Sequence, residues 1–256
     1  MAGRATASSL QGTGDTGSGT ALAQPPAPPL TVSLTHSLTH SPALSPVERA
    51  QRTGRLRRGA ARSVATASLV GRAHRTASQL LDPASDRWWH TAGVARRALQ
   101  ARPAVPAEDR EVLVAAAWLH DVGYAPALVS TGFHPLDGAR HLREAGWPEA
   151  VVGLVAHHSG ARFLARVKGL DAELEDFADP RGWEGALADA LAWADQTTSP
   201  QGHLVDVHDR LAEARARHGE GSDLSLAHGL RAPAVRAAVA ATEQRLALAP
   251  RFDVGD

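Results

Sequence analysis

The strongest constraint on this chain is a rhythm of proline and glycine that cuts residues 78–250 into segments of helical length. WWHTAGVARRALQ stops before Pro103, since proline disfavours helical geometry in the residue ahead of it. Ser85 or Asp86 can cap that segment's start. EDREVLVAAAWLHD follows Pro106, with Val112, Ala115, Ala116 and Leu119 on one face and Gly123 as a stop. PLDGARHLREAG opens on Pro135 and ends at Gly146, and PEAVVGLVAHHS opens on Pro148 and ends at Gly160. GWEGALADALAWADQTT ends before Pro200, VDVHDRLAEARARHG closes on Gly219, and Pro233 is expected to open a last helix. No segment alternates β-branched residues with a two-residue period, so strands should be few or absent. The expected fold class is all-α, a bundle of six to eight helices.

Only 4% of residues are aromatic against 43% apolar, so small aliphatic side chains must fill the core. Trp88, Trp89, Trp118, Trp147, Trp183 and Trp193 are its candidate large pieces. The absence of cysteine excludes disulfides, thiolate metal sites and cysteine nucleophiles. A formal charge of zero removes any global attraction to nucleic acid or membrane. No run of about 18 apolar residues predicts a transmembrane helix, and the N-terminus lacks the apolar stretch of a signal peptide. The expected location is therefore the cytoplasm. Lys168 is the sole lysine among many arginines, a bias that fits a GC-rich bacterial genome.

Residues 1–46 are rich in Ser, Thr, Gly, Ala and Pro, a composition that predicts disorder. Within them, SLTH-SLTH spaces His36 and His40 one helical turn apart, yet its neighbours disfavour a helix. Residues 47–77 are a basic, partly helical lead-in, where Arg49, Arg52, Arg55, Arg57, Arg58, Arg62, Arg72 and Arg75 face only Glu48. No aromatics interleave these arginines, which disfavours nucleic-acid binding. Residues 78–250 form the folded domain.

Within that domain stand His90, the doublet His120-Asp121, His134, the pair His157-His158, and Asp195. Imidazoles and carboxylates without thiolate suit Mn, Fe, Ni, Co, Zn or Mg. A metal so held can make water nucleophilic at neutral pH, which points to hydrolysis. Each candidate lies near a predicted helix end, where adjacent side chains such as His120 and Asp121 can turn toward one groove. Asp137 is expected to cap its helix, and His141 to be structural. His203, His208, His218 and His228 are expected to face solvent.

The ordered set His90, His120-Asp121 in AAAWLHDVG, and Asp195 in LAWADQTT resembles the HD-domain superfamily of metal-dependent phosphohydrolases. His134 in FHPLDGARHL and one of His157 or His158 in VAHHSG occupy the places where many members hold a second metal. The resemblance implies that His90, His120, Asp121 and Asp195 bind one divalent ion. Asp121 would then bridge to a second, held by His134 and preferentially His157. Asp121 and His134 would be catalytic, with a hydroxide attacking phosphorus. Several hydrolytic members carry a lysine where this chain has Tyr124, so Tyr124 and Arg162 are the candidate substrate-binding residues. The implied activity is cleavage of a phosphoester or phosphoanhydride bond in a small phosphorylated metabolite, a nucleotide above all. The alternative is a non-catalytic regulatory or ligand-sensing module on the same fold. Oligomeric state has no signal in the sequence.

Overall fold

The computed structural model describes residues 68–179, 182 and 184–250. The segment 1–46, its SLTH repeat, the arginines before residue 68 and Trp183 lie outside the described residues.

Helix α1 (Leu69–Leu80) starts where the Ser68 hydroxyl accepts from the Gly71 amide at 3.1 Å. Its buried Ala73 and Ala77 face α3 (Arg110–Leu119). Helix α2 (Asp86–Ala101) is capped by Ser85, whose hydroxyl accepts from the Trp88 amide at 3.2 Å. Asp86 sits in the first turn, where its charge suits the helix dipole.

Six of the ten residues of α3 are buried, from Leu113 to Leu119, so it is apolar nearly all round and serves as the central helix. It packs against α1, α2, α5 (Glu149–His157) and α8 (Gly185–Gln196). Ala115, Ala116 and Ala117 let those neighbours approach closely, while Leu113 and Leu119 fill the gaps. Burying each such leucine contributes about 1.5–3 kcal/mol. This central position matters for function, because α3 delivers His120 and Asp121 to the middle of the molecule.

Helix α4 (His134–Glu144) pairs with α5. After α5 the chain turns sharply through His158–Gly160, with Ser159 in the left-handed region at φ 50°. The following stretch, which the sequence pattern left without a helix, winds into α6 (Ala161–Lys168) and α7 (Asp171–Glu175). Helices α9 (Val207–His218) and α10 (Asp223–Leu248) complete the bundle, with α10 laid along α8. Among the described residues there is no strand, only an isolated bridge between Thr198 and Leu204. No described helix is long and apolar enough to cross a membrane.

Two expectations are corrected here. Pro233 does not open the last helix but lies inside it, since Ser222 already caps the start at the Ser225 amide (3.2 Å). An internal proline forfeits one helical hydrogen bond and crowds the carbonyl four residues back. Burial of Ala232, Val235 and Val239 against the bundle offsets that loss. The tryptophans also divide. Trp147 and Trp193 are buried, but Trp89 is 53% exposed, because α2 turns His90 rather than its neighbour inward.

Candidate metal centre

His90 comes from the second turn of α2, His120 and Asp121 from the end of α3, His134 from the start of α4. His158 follows α5, and Asp195 lies near the end of α8. All six converge. Their ring tautomers follow from what each Nδ1 touches, since a carbonyl oxygen can only accept. His90 Nδ1 donates to the Ser199 carbonyl at 3.0 Å, His120 Nδ1 to Ala117 at 2.8 Å, and His158 Nδ1 to Val155 at 2.7 Å. In the neutral rings every Nε2 is therefore a lone pair, and these lone pairs point at one another.

In the first group, His90 Nε2 and His120 Nε2 lie 3.4 Å apart. Asp195 Oδ1 is 3.1 Å from the former and 4.0 Å from the latter. Asp121 Oδ2 lies 3.8 Å from His90 Nε2 and 3.4 Å from His120 Nε2. In the second group, His134 Nε2 and His158 Nε2 are 3.2 Å apart, with Asp121 Oδ1 at 3.3 and 4.0 Å. Asp121 thus turns one oxygen to each group. Donors bound about 2.1 Å from a common ion are spaced by roughly 3.0–3.5 Å, close to the spacings seen here. Acceptors at such distances repel unless a cation or a proton lies between them, so the donor set fits a divalent ion.

The electrostatics agree. Burial would raise both aspartates, but His120 and Arg87 hold Asp121 well below the usual carboxylate range, and His90 and His120 do the same for Asp195. Burial pushes His120 down, yet Asp121 and Asp195 outweigh it and bring the ring up to about 8. Burial, reinforced by His134 and His120, lowers His158 to about 3, and burial likewise lowers His134. The ionised carboxylates and the neutral His134 and His158 rings are in metal-ligating form, and on His120 a divalent ion would take the place of the proton that Asp121 and Asp195 hold there.

Surrounding residues orient this set. Ser159 Oγ donates a short hydrogen bond to Asp195 Oδ2, which also accepts from Gln196 Nε2 at 2.7 Å. Arg87 donates a short, charged hydrogen bond to Asp121 Oδ2 and lies 3.9 Å over the Tyr124 ring. Tyr124 in turn stacks on His134 at 3.9 Å, and burial pushes its hydroxyl up to about 12. Asp137 sits in the first turn of α4 but does not cap it. Its carboxylate gathers the amides of Ser130, Thr131 and Gly132 and two hydroxyls, clamping the loop that leads into His134.

Close backbone contacts also fix the geometry. A Cβ on Gly123 would lie 2.0 Å from the His134 carbonyl oxygen, so glycine lets the end of α3 meet the start of α4. A Cβ on Gly202 would lie 2.3 Å from the Trp89 carbonyl oxygen, in the loop whose Ser199 carbonyl orients His90.

Two predicted site residues fall elsewhere. His157, preferred over its neighbour as a ligand, turns away from the cluster and bonds to the Phe177 backbone beside Arg162. The cause is local: His158 leaves helical geometry (ψ 147°) while its Nδ1 reaches back to Val155, which swings the second ring inward. Arg162 is exposed on α6, over the Phe163 ring, and lines a separate groove with His157 and Arg166. Tyr124, by contrast, lines the cavity of about 440 Å³ above the candidate metal ligands. Arg87, Ser159, Ser199, Arg210 and Arg231 escaped the sequence pattern. Only Arg87 carried a signal, one helical turn before His90.

The fold and the site together define an all-α protein with a histidine–aspartate centre able to hold metal. The sequence model of the HD domain family matches residues 87–214, half of the chain, and the chain belongs to that family. No curated protein and no solved structure gives a match.

Proposed function

We propose that this protein is a metal-dependent phosphohydrolase that cleaves a phosphoester or phosphoanhydride bond of a small phosphorylated metabolite such as a nucleotide. The family to which the chain belongs consists mostly of metal-dependent hydrolases. The observation that carries the proposal is the split carboxylate of Asp121, with Oδ2 toward His90 and His120 and Oδ1 toward His134 and His158. A divalent metal in that donor set would lower the pKa of a water and offset charge on phosphoryl oxygens.

The chain's own residues do the rest. Ser199, Ala117 and Val155 carbonyls hold three imidazoles in the tautomer that leaves Nε2 available. Arg87 is positioned by Asp121 and Tyr124 so that its remaining guanidinium hydrogens can meet a phosphoryl oxygen in the cavity. Asp137 and Gly123 keep His134 in register. The reading needs His134 and Asp121 as the catalytic pair, with His90, His120, His158 and Asp195 completing the ligand set.

The test is metal analysis of protein purified without chelator, followed by a screen of phosphorylated metabolites with Mn added. Asp121→Ala should lose bound metal and hydrolysis while keeping its helical circular dichroism. Full turnover in that variant would refute the proposal. Metal bound without turnover on any phosphorylated compound would leave a ligand-sensing module.

A further inference from the structure

The family match ends at residue 214, yet the cavity over the candidate metal centre is completed by side chains beyond it. Beyond residue 214, α9 contributes Arg217 and α10 contributes Arg231; within the matched range, α9 adds Arg210 and the end of α6 adds Lys168. Arg210 and Arg231 are only 8% and 7% exposed, an unusual state for arginine. Arg231 Nε donates to the Ser159 carbonyl at 2.9 Å, and Ser159 Oγ holds Asp195, so one residue separates this guanidinium from the candidate ligands. No described carboxylate forms an ion pair with Arg231. Arg210 meets half-exposed Glu213 at 2.6 Å through Nη1, but its buried Nε has no hydrogen-bond partner.

The charge balance points the same way. Arg87, Lys168, Arg210, Arg217 and Arg231 line the cavity against four carboxylates, Asp121, Asp195 and Asp223 in the lining and Glu213 paired with Arg210 and Arg217, an excess of one positive charge before any metal is counted. Asp121 is shared between Arg87 and the imidazoles, and Asp195 faces the imidazoles. Asp223 is taken by Lys168 at 2.7 Å and Glu213 meets Arg217 Nε at 3.1 Å, which leaves Arg231 as the cation without an ion pair among these five. Burial draws the Arg231 guanidinium below its ordinary pKa, with the charge of Asp195 opposing that fall and the charge of Arg210 adding to it. Buried like charges of this kind are costly unless an anion sits between them.

We propose that Arg210 and Arg231, with Arg217 and Lys168 at the rim, bind a second phosphoryl group of the substrate. The substrate class is thereby a di- or polyphosphorylated compound. The inference rests on the phosphohydrolase reading, which assigns the first phosphoryl group to the metal centre. A phosphoryl group has three oxygens and can satisfy two guanidiniums at once, whereas a planar carboxylate matches one guanidinium fork.

The test is calorimetric titration of the full chain, carrying the metal it retains on purification, with methylenediphosphonate, phosphonoacetate and methylphosphonate. Wild type should bind the diphosphonate at least about tenfold more tightly than the monophosphonate, a gap of one charged contact or more. In Arg231→Gln and Arg210→Gln that ratio should fall to about one, with metal content unchanged. Arg217→Gln, at an exposed position where folding is not at risk, should lower the ratio by roughly threefold, as expected for a screened rim charge. A wild-type ratio near one, or a ratio that persists in the Arg217 variant and in whichever buried-arginine variant folds, overturns the proposal. Phosphonoacetate binding as tightly as the diphosphonate also overturns it, by making the second group a carboxylate. The underlying metal reading fails on a different result, namely full metal retention by Asp121→Ala.

Discussion

Replacing Asp137 by alanine removes the one acceptor that gathers the loop ahead of His134. Hydrogen bonds of 2.8–3.2 Å from Ser130, Thr131 and Gly132 end on its two oxygens. A hydrogen bond to a charged group contributes roughly 1.5–3 kcal/mol, so a plain sum over these contacts would reach about 10 kcal/mol. That sum is too large. Ser130 and Gly132 are exposed and Thr131 half-buried, so water takes up most of the released donors. A net loss of about 2–4 kcal/mol remains. In a domain of this size each kcal/mol shifts the thermal midpoint by about 2–4 °C, which places the fall at roughly 5–15 °C. Thermal unfolding followed by circular dichroism at pH 7 measures it, and metal analysis of the same sample reports on His134. The metal-to-protein ratio should fall as well, because the clamp sits immediately before that ligand.

The pH dependence has a definite sign. Burial raises the Asp137 carboxyl, but hydrogen bonds from Thr131 and Ser130 outweigh it and hold the group below its ordinary value. Its stabilisation is therefore complete above the unfolded carboxylate pKa of about 3.9 and disappears as pH drops through the lower folded value. The gap between wild type and Asp137→Asn should hold from pH 7 to about pH 5 and close below about pH 4. A midpoint for Asp137→Ala within about 1 °C of wild type, with full metal content, would show that the loop is held by something else.

Three further outcomes follow from the geometry. His158→Ala should lower the metal-to-protein ratio, whereas His157→Ala should leave it unchanged; the reverse result in metal analysis would exchange their assignments. Gly123→Ala forces a Cβ to within 2.0 Å of the His134 carbonyl oxygen, so α4 must shift. The cost should be about 1–3 kcal/mol in denaturant unfolding, with weakened metal binding, and a variant of wild-type stability would contradict the tight backbone approach. Ser159→Ala should loosen Asp195 by removing the hydroxyl that donates to Oδ2 and so reduce metal affinity in competition with a chelator; equal affinity would exclude that role.

Much of this protein was legible in its sequence, for a physical reason. Proline and glycine act through the local backbone, so the helical segments around His90, His120 and Asp195 needed no tertiary information. Burying several imidazoles and carboxylates in a helical bundle is costly unless they share a cation, so an ordered histidine–aspartate set already implied convergence. Local rules ran out at helix termini and at contacts between distant segments. Pro233 reads as a helix start, yet packing of α10 on α8 carries the helix straight through it.

Whether His157 or His158 turns inward depended on which ring nitrogen could reach the Val155 carbonyl once the chain left helical geometry. Neighbouring identical residues carry no trace of that choice. The partners of Arg231 were equally hidden, since Ser159 lies 72 positions away and meets it only when α10 folds back over the turn after α5. The chain's local chemistry thus determined which elements form and which side chains can ligate. Tertiary packing decided where those side chains point and which cations surround them, because direction and proximity arise only when separate helices share one core.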